Sequence, residues 1–202
     1  MGDVNKIFGV GMFKTGTTTL GVALMELGFS CYNGPWKNPE EFPYDPWNLN
    51  PEIYTANKQS LIQKVEKFDA FQDYPFMYAY EALDEWFPNS KFILTTRDPE
   101  SLAVSDRKMW IRQELAVESE IPSPSQFIER YENHYNAVTT YFKSRPEDLL
   151  EVSWFDGDSW EKLCEFLEVP VPLKPFPVAN SAKPAGENLL RRAMSKFSRM
   201  FR

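Results

Sequence analysis

Fourteen residues near the start of the chain constrain it most: Ile7-Phe8-Gly9-Val10-Gly11-Met12-Phe13-Lys14-Thr15-Gly16-Thr17-Thr18-Thr19-Leu20. An apolar, β-prone run passes through a loop of small residues into helix-forming sequence, which is the order of a strand, a turn and a helix. Such a turn aims backbone N–H groups and the positive end of a helix dipole at one point, and a glycine such as Gly16 lets the backbone approach whatever binds there. The stretch therefore predicts an anion site suited to phosphate or sulfate. It is not a Walker A loop, which needs glycine directly before its lysine where this chain has Phe13.

The rest of the sequence repeats the same alternation. The pattern predicts strands over Ile7–Gly11, Phe29–Tyr32, Ala70–Asp73, Lys91–Thr96 and Leu149–Ser153. Helices are expected over Thr18–Leu27, Pro51–Lys67, Tyr78–Phe87, Pro99–Trp110, Pro124–Lys143 and Asp158–Leu167. Strands alternating with helices give an α/β fold, a mostly parallel sheet flanked by helices. Residues 33 to 51 hold five prolines with asparagines and aromatics, too irregular for an element and too aromatic for a solvated linker, and read as a functional loop. A chain of 202 residues with 43% hydrophobic and 25% charged residues is expected to fold as one domain over residues 1 to 187.

Several function classes drop out on charge and composition. A net charge of −7 argues against general binding to nucleic acid backbones. The longest apolar runs fall well short of the roughly 20 residues a membrane-spanning helix needs. The first residues lack the basic-then-apolar pattern of a secretory signal, so a cytoplasmic protein is the expectation. Cys31 and Cys164 are far apart in sequence and His134 is the sole histidine, which gives no metal-ligand spacing; the cysteines read as free thiols. The last fifteen residues differ in kind. Residues 188 to 202 carry Arg191, Arg192, Lys196, Arg199 and Arg202 with no acid, while the remaining chain has 17 basic residues against 29 acidic. With Leu189, Leu190, Ala193, Met194, Phe197, Met200 and Phe201 at helical spacing, they predict a basic amphipathic helix. It either docks on the domain's own acidic surface or makes a peripheral contact with an anionic membrane or partner.

A second constellation stands at Arg97-Asp98-Pro99, directly after the fourth predicted strand, with Ser105 eight residues beyond Arg97. A strand-end arginine and a serine on the following helix reach the same crevice at the carboxyl edge of a parallel sheet. A planar fork of donors beside a hydroxyl is equipment for a second anion, held apart from the first.

The order Lys14-Thr15-Gly16-Thr17-Thr18 resembles the 5'-phosphosulfate loop of sulfotransferases that use 3'-phosphoadenosine-5'-phosphosulfate (PAPS), a branch of the P-loop fold. The Arg97 and Ser105 pair resembles their 3'-phosphate site. The likeness runs over roughly residues 6 to 181 and is nearest to a family of small, mainly uncharacterised sulfotransferase-like proteins. Its landmarks are Asp73-Tyr74-Pro75, the run from Phe87, the helix with His134, Trp160 to Leu167, and Pro175 to Asn180. The chain departs from the pattern at Val178, where the family often has His or Arg. It also has Lys183-Pro184-Ala185-Gly186 in place of an Arg-Lys-Gly-type loop that helps hold the 3'-phosphate.

The resemblance implies transfer of a sulfonate group from PAPS to a hydroxyl or amine, leaving adenosine 3',5'-bisphosphate. Lys14 would stabilise charge growing on the bridging oxygen, a role that requires no metal. Thr15, Gly16, Thr17, Thr18 and Thr19 would hold the 5' end of the donor, and Arg97 with Ser105 the 3'-phosphate. Asp73 is the first candidate for the general base and His134 the second, each with a structural alternative: a helix cap or a partner orienting Lys14 for Asp73, and a fixed hydrogen bond for His134. Tyr32, Trp36, Phe42, Tyr44, Trp47 and Tyr54 either wall an acceptor pocket or cover the sheet. A kinase or nucleotidase using ATP and Mg²⁺, and a nucleotide-binding module without turnover, are the other classes in play.

Overall fold

The protein is described by a computed structural model that covers residues 5–32, 58–113 and 120–179. The aromatic loop, residues 51 to 57 of the predicted second helix, residues 183 to 186 and the basic segment 188 to 202 lie outside the described residues. The elements run β1 (Ile7–Gly9), α1 (Thr17–Glu26), β2 (Cys31–Tyr32), α2 (Lys58–Val65), β3 (Ala70–Phe71), α3 (Tyr80–Trp86) and β4 (Lys91–Thr95). They continue with α4 (Pro99–Gln113), α5 (Pro124–Tyr141), a single 3₁₀ turn, β5 (Leu149–Val152) and α6 (Trp160–Leu167). All the pairings are parallel, in the order β2-β3-β1-β4-β5, so β1 is central. The expected α/β architecture is the observed one.

Alternation along each strand sorts the core into two layers. Phe8, Phe71, Phe92 and Leu94 face helices α2 to α5, whereas Ile7, Ala70, Ile93 and Leu150 face α1 and α6. In the first layer Phe8 packs against Phe71 at 5.4 Å and Phe92 at 5.5 Å between ring centroids, and Phe92 against Phe142 at 4.6 Å. These rings come from three adjacent strands at matched register and from the end of α5. Each is fully buried, worth about 1.5–3 kcal/mol apiece relative to exposure. α5 starts where a Ser/Pro signal predicts: Ser123 and Gln126 cap one another, with Pro124 in the first turn.

Strand ends are shorter than the apolar runs suggest, and the reason bears on the site. β3 stops before Asp73 because Asp73 has φ 64°, a left-handed conformation that turns the chain out of the sheet. Beyond β1, Val10 N–H still donates to the Ile93 carbonyl at 2.8 Å, but Gly11 then passes so close to Thr95 that a Cβ would lie 1.9 Å from its Oγ1. α4 extends three residues past the expected Trp110, to Gln113. Among the described residues no helix is long and apolar enough to cross a membrane.

Candidate functional site

Because every strand points the same way, the residues that follow the strands collect along one edge of the sheet. Asp73 is two residues past β3, Arg97 two past β4 and Trp154 two past β5, while Lys14 lies in the loop after β1. This is the crevice where open parallel sheets place ligands, and here the chain changes direction about β1, with β3 on one side and β4 on the other. All four residues line one cavity of about 680 Å³, within the range of roughly 300–1,000 Å³ usual for small-molecule sites.

The loop from Lys14 to Thr19 opens on this cavity. Gly16 is the residue before α1, at φ 102°, and has no side chain with which to cap the helix, whose first turn carries no acid. A Cβ on Gly16 would meet Trp154 Cδ1 at 2.5 Å, so both conformation and space require glycine. Thr17 and Thr18 line the cavity. Thr19 also lines it, and its hydroxyl oxygen accepts the Ala179 N–H at 3.3 Å, drawing the Phe176–Ala179 segment across as the far wall. Thr15 is the exception. Its side chain is fully buried, its Oγ1 donates to the Met12 carbonyl at 2.5 Å and pairs with Thr95 Oγ1 at 2.6 Å, and its N–H also reaches Met12 O. The structure sets Thr15 beneath the loop and off the cavity wall.

Lys14 has φ 68° and Asp73 φ 64°, so both candidate reacting residues hold a left-handed backbone uncommon outside glycine. Burial, with the charges of Arg112 and Arg97, pushes the Lys14 ammonium below its usual range, and Asp106 and Asp73 oppose that shift. Asp73 is 4% exposed. Burial pushes its carboxyl up to about 6, against a hydrogen bond from Thr17 and the charge of Lys14. Its Oδ1 has no hydrogen-bond partner. A carboxyl poised near 6, lining a cavity beside a lysine, has the properties of a proton acceptor at neutral pH.

Arg97 and Ser105 meet on the same cavity, as the sequence predicts. Arg97 Nη1 donates to the Lys14 carbonyl at 3.2 Å, and its guanidinium lies 4.3 Å from the centre of the Phe155 ring, which leaves Nε without a partner. His134 is elsewhere. It is buried on α5, with Nε2 2.7 Å from the Val10 carbonyl, and burial lowers its pKa, so it braces the strand that feeds the loop and does not line the cavity. Cys31 and Cys164 are free thiols.

Sequence reasoning passed over Gln72, Arg112, Trp154 and Phe155, all on the cavity wall. The strand-end position was the available signal for Trp154, since it stands to β5 as Asp73 does to β3. For Arg112 the signal was helical phase, seven residues beyond Ser105. Trp154 Nε1 and Gln72 Oε1, like Asp73 Oδ1 and Arg97 Nε, are buried without partners, and all four residues line the cavity.

A sequence profile of the sulfotransferase domain matches residues 6–124 and 107–185 in two overlapping stretches. The chain belongs to the sulfotransferase domain family. Among curated proteins, the chain is 27% identical over 210 residues to the Ava biosynthesis cluster protein M of Aspergillus versicolor, covering 85% of this chain and 79% of that one. Its fold matches the crystal structure of a sulfotransferase from Alicyclobacillus acidocaldarius with a TM-score of 0.58, over 97% of this chain and 93% of the other, at 16% identity. Family and fold together support sulfonate transfer in general.

Proposed function

We propose that this sulfotransferase takes its sulfonate from PAPS and delivers it to a hydroxyl or amine. The observation that carries the reading is that two cationic centres from different strand ends line one cavity: Lys14 with the start of α1, and Arg97 with Ser105. A nucleotide phosphorylated at both 5' and 3' positions needs two such centres, whereas an ATP-type loop supplies one. Arg97 Nε and Trp154 Nε1, both on residues that line the cavity, are donors without a partner, and the phosphates and sulfonate of PAPS are acceptors.

In this reading Arg97 and Ser105 grip the 3'-phosphate, and the N-terminus of α1 with Thr17 and Thr18 holds the 5'-phosphate. The acceptor oxygen or nitrogen forms its bond to sulfur as the sulfur–oxygen bond to the 5'-phosphate breaks, and the electron pair leaves on the phosphate oxygen. Lys14 neutralises charge appearing on that oxygen. Asp73, unprotonated above about pH 6, takes the proton the acceptor loses.

The competing reading is a kinase or nucleotidase using Mg²⁺-ATP. Phe13 speaks against it, because the position where a Walker loop needs glycine holds a ring 4% exposed and packed into the core. Thermal denaturation separates the two. Adenosine 3',5'-bisphosphate without Mg²⁺ raises the melting temperature by mass action, and AMP and ATP do so much less. Stronger stabilisation by Mg²⁺-ATP than by the bisphosphate overturns the proposal.

A further inference from the structure

Helix α4 sets Ser105, Met109 and Arg112 on the cavity wall. Their i, i+4, i+7 spacing makes one helical face. Two turns separate Ser105 from Arg112, roughly 10 Å along the axis at 1.5 Å per residue. The helix acts as a ruler, with an anion-facing hydroxyl near Arg97 at one mark and a second cation at the other. Lys14 lines the same cavity, and the Arg112 charge is among the causes that hold its ammonium below the usual range, with Asp106 acting against it.

The Arg112 side chain is exposed, and among the described residues no carboxylate pairs with it. The acid next to Ser105, Asp106, turns away from the cavity into a buried ion pair with Arg130 at 2.6 Å. Lys14, Arg97 and Arg112 therefore open on one cavity whose own acid is the buried Asp73. Three cations facing a common space repel one another until an anion lies between them.

We infer that Arg112 is a further donor-binding residue, its guanidinium fork holding the non-bridging oxygens of the transferring sulfonate while Lys14 serves the bridging oxygen. The inference rests on the PAPS reading above and adds to it a residue for the one group that PAPS has and its bisphosphate product lacks. A planar fork of donors matches two oxygens of a sulfonate, and no proton moves to or from it.

The test titrates wild type and variants by calorimetry with PAPS and with adenosine 3',5'-bisphosphate, in the absence of acceptor. Arg112→Ala is expected to weaken PAPS by at least about tenfold and the bisphosphate by less than about threefold, since one charge-assisted contact goes with the sulfonate alone. Arg112→Lys restores part of the PAPS affinity, and Arg97→Ala weakens both ligands alike. Melting temperatures of Arg112→Ala and of a second variant, Arg112→Gln, verify that the fold is kept. Equal weakening of both ligands by Arg112→Ala, or of neither, overturns the assignment while leaving the donor reading standing. Wild type that binds neither ligand but binds Mg²⁺-ATP overturns the donor reading, and this inference with it.

Discussion

Replacing Asp73 with Asn separates what the residue does for the reaction from what it costs the fold. The folded-state pKa of about 6 lies above the ordinary value of 3.8, and burial is the main cause. Below pH 3.8 the carboxyl is protonated whether the chain is folded or not, and its contribution is fully present. As pH rises from 3.8 to 6 the unfolded chain releases the proton first, so stability falls, and above 6 the loss is complete. A gap of about two pKa units amounts to about 3 kcal/mol. Asparagine has the same shape and keeps an oxygen for Thr17, but carries no charge to desolvate. Asp73→Asn is therefore expected to be more stable than wild type at pH 8 by up to about 3 kcal/mol, roughly 6 to 12 °C in melting temperature for a chain of this size. The two proteins should converge near pH 4. Turnover should move the other way, falling by at least about tenfold with bisphosphate affinity nearly unchanged, as befits a group acting in proton transfer. Wild-type turnover should climb through pH 6 as the carboxylate forms. Thermal melts at pH 4, 6 and 8, with initial rates on a panel of phenols, alcohols, amines and sugars, read all of this. A variant less stable than wild type at pH 8, or a stability gap that does not change with pH, refutes the burial argument. A folded variant with normal turnover refutes the base.

Arg97→Ala should erase the preference for adenosine 3',5'-bisphosphate over AMP, at about 1.5–3 kcal/mol by titration calorimetry. Lys14→Ala should lower turnover far more than bisphosphate affinity, because its contact strengthens as charge develops in the transition state. Thr15→Val should cost about 1–3 kcal/mol in denaturant unfolding, since it strands the Thr95 hydroxyl and leaves the Met12 carbonyl only the longer bond from the residue 15 N–H, with little change in nucleotide binding by the folded variant. Co-sedimentation with anionic liposomes checks the basic segment: a membrane-attached helix at 188 to 202 makes the full chain pellet and leaves residues 1 to 187 in the supernatant, and equal, negligible binding removes that reading.

Much of this was legible in the chain because strands, loop and helices carry local signals. The loop from Lys14 to Thr19 stands out as a candidate anion site by residue type alone, and Arg97 as a cation directly after the fourth strand run. Four threonine-rich positions, however, look alike in sequence, and only the approach of Thr95 decides that Thr15 faces inward while Thr17 faces the cavity. Strand order is likewise non-local. Nothing near Asp73 says that β3 lies beside β1, and nothing near Trp154 says that its indole edge lies against Gly16. The same holds for His134, whose role depends on the Val10 carbonyl, 124 residues away in sequence.

The cavity draws on the carboxyl ends of β1, β3, β4 and β5, so its parts enter the chain between Phe13 and Ala179. No shorter fragment contains the whole of it. A ligand seated there fastens the edge strand β5 to the central strand through contacts that the backbone ladder does not supply. Openings that would otherwise occur piecemeal, at the sheet margin or at the Phe176–Ala179 wall, then require the ligand to leave first. A ligand in the cavity should therefore make opening of the sheet margin cooperative with opening of its centre, and slowed amide exchange in β5, far along the chain from Lys14, is the signature by which that coupling would be seen.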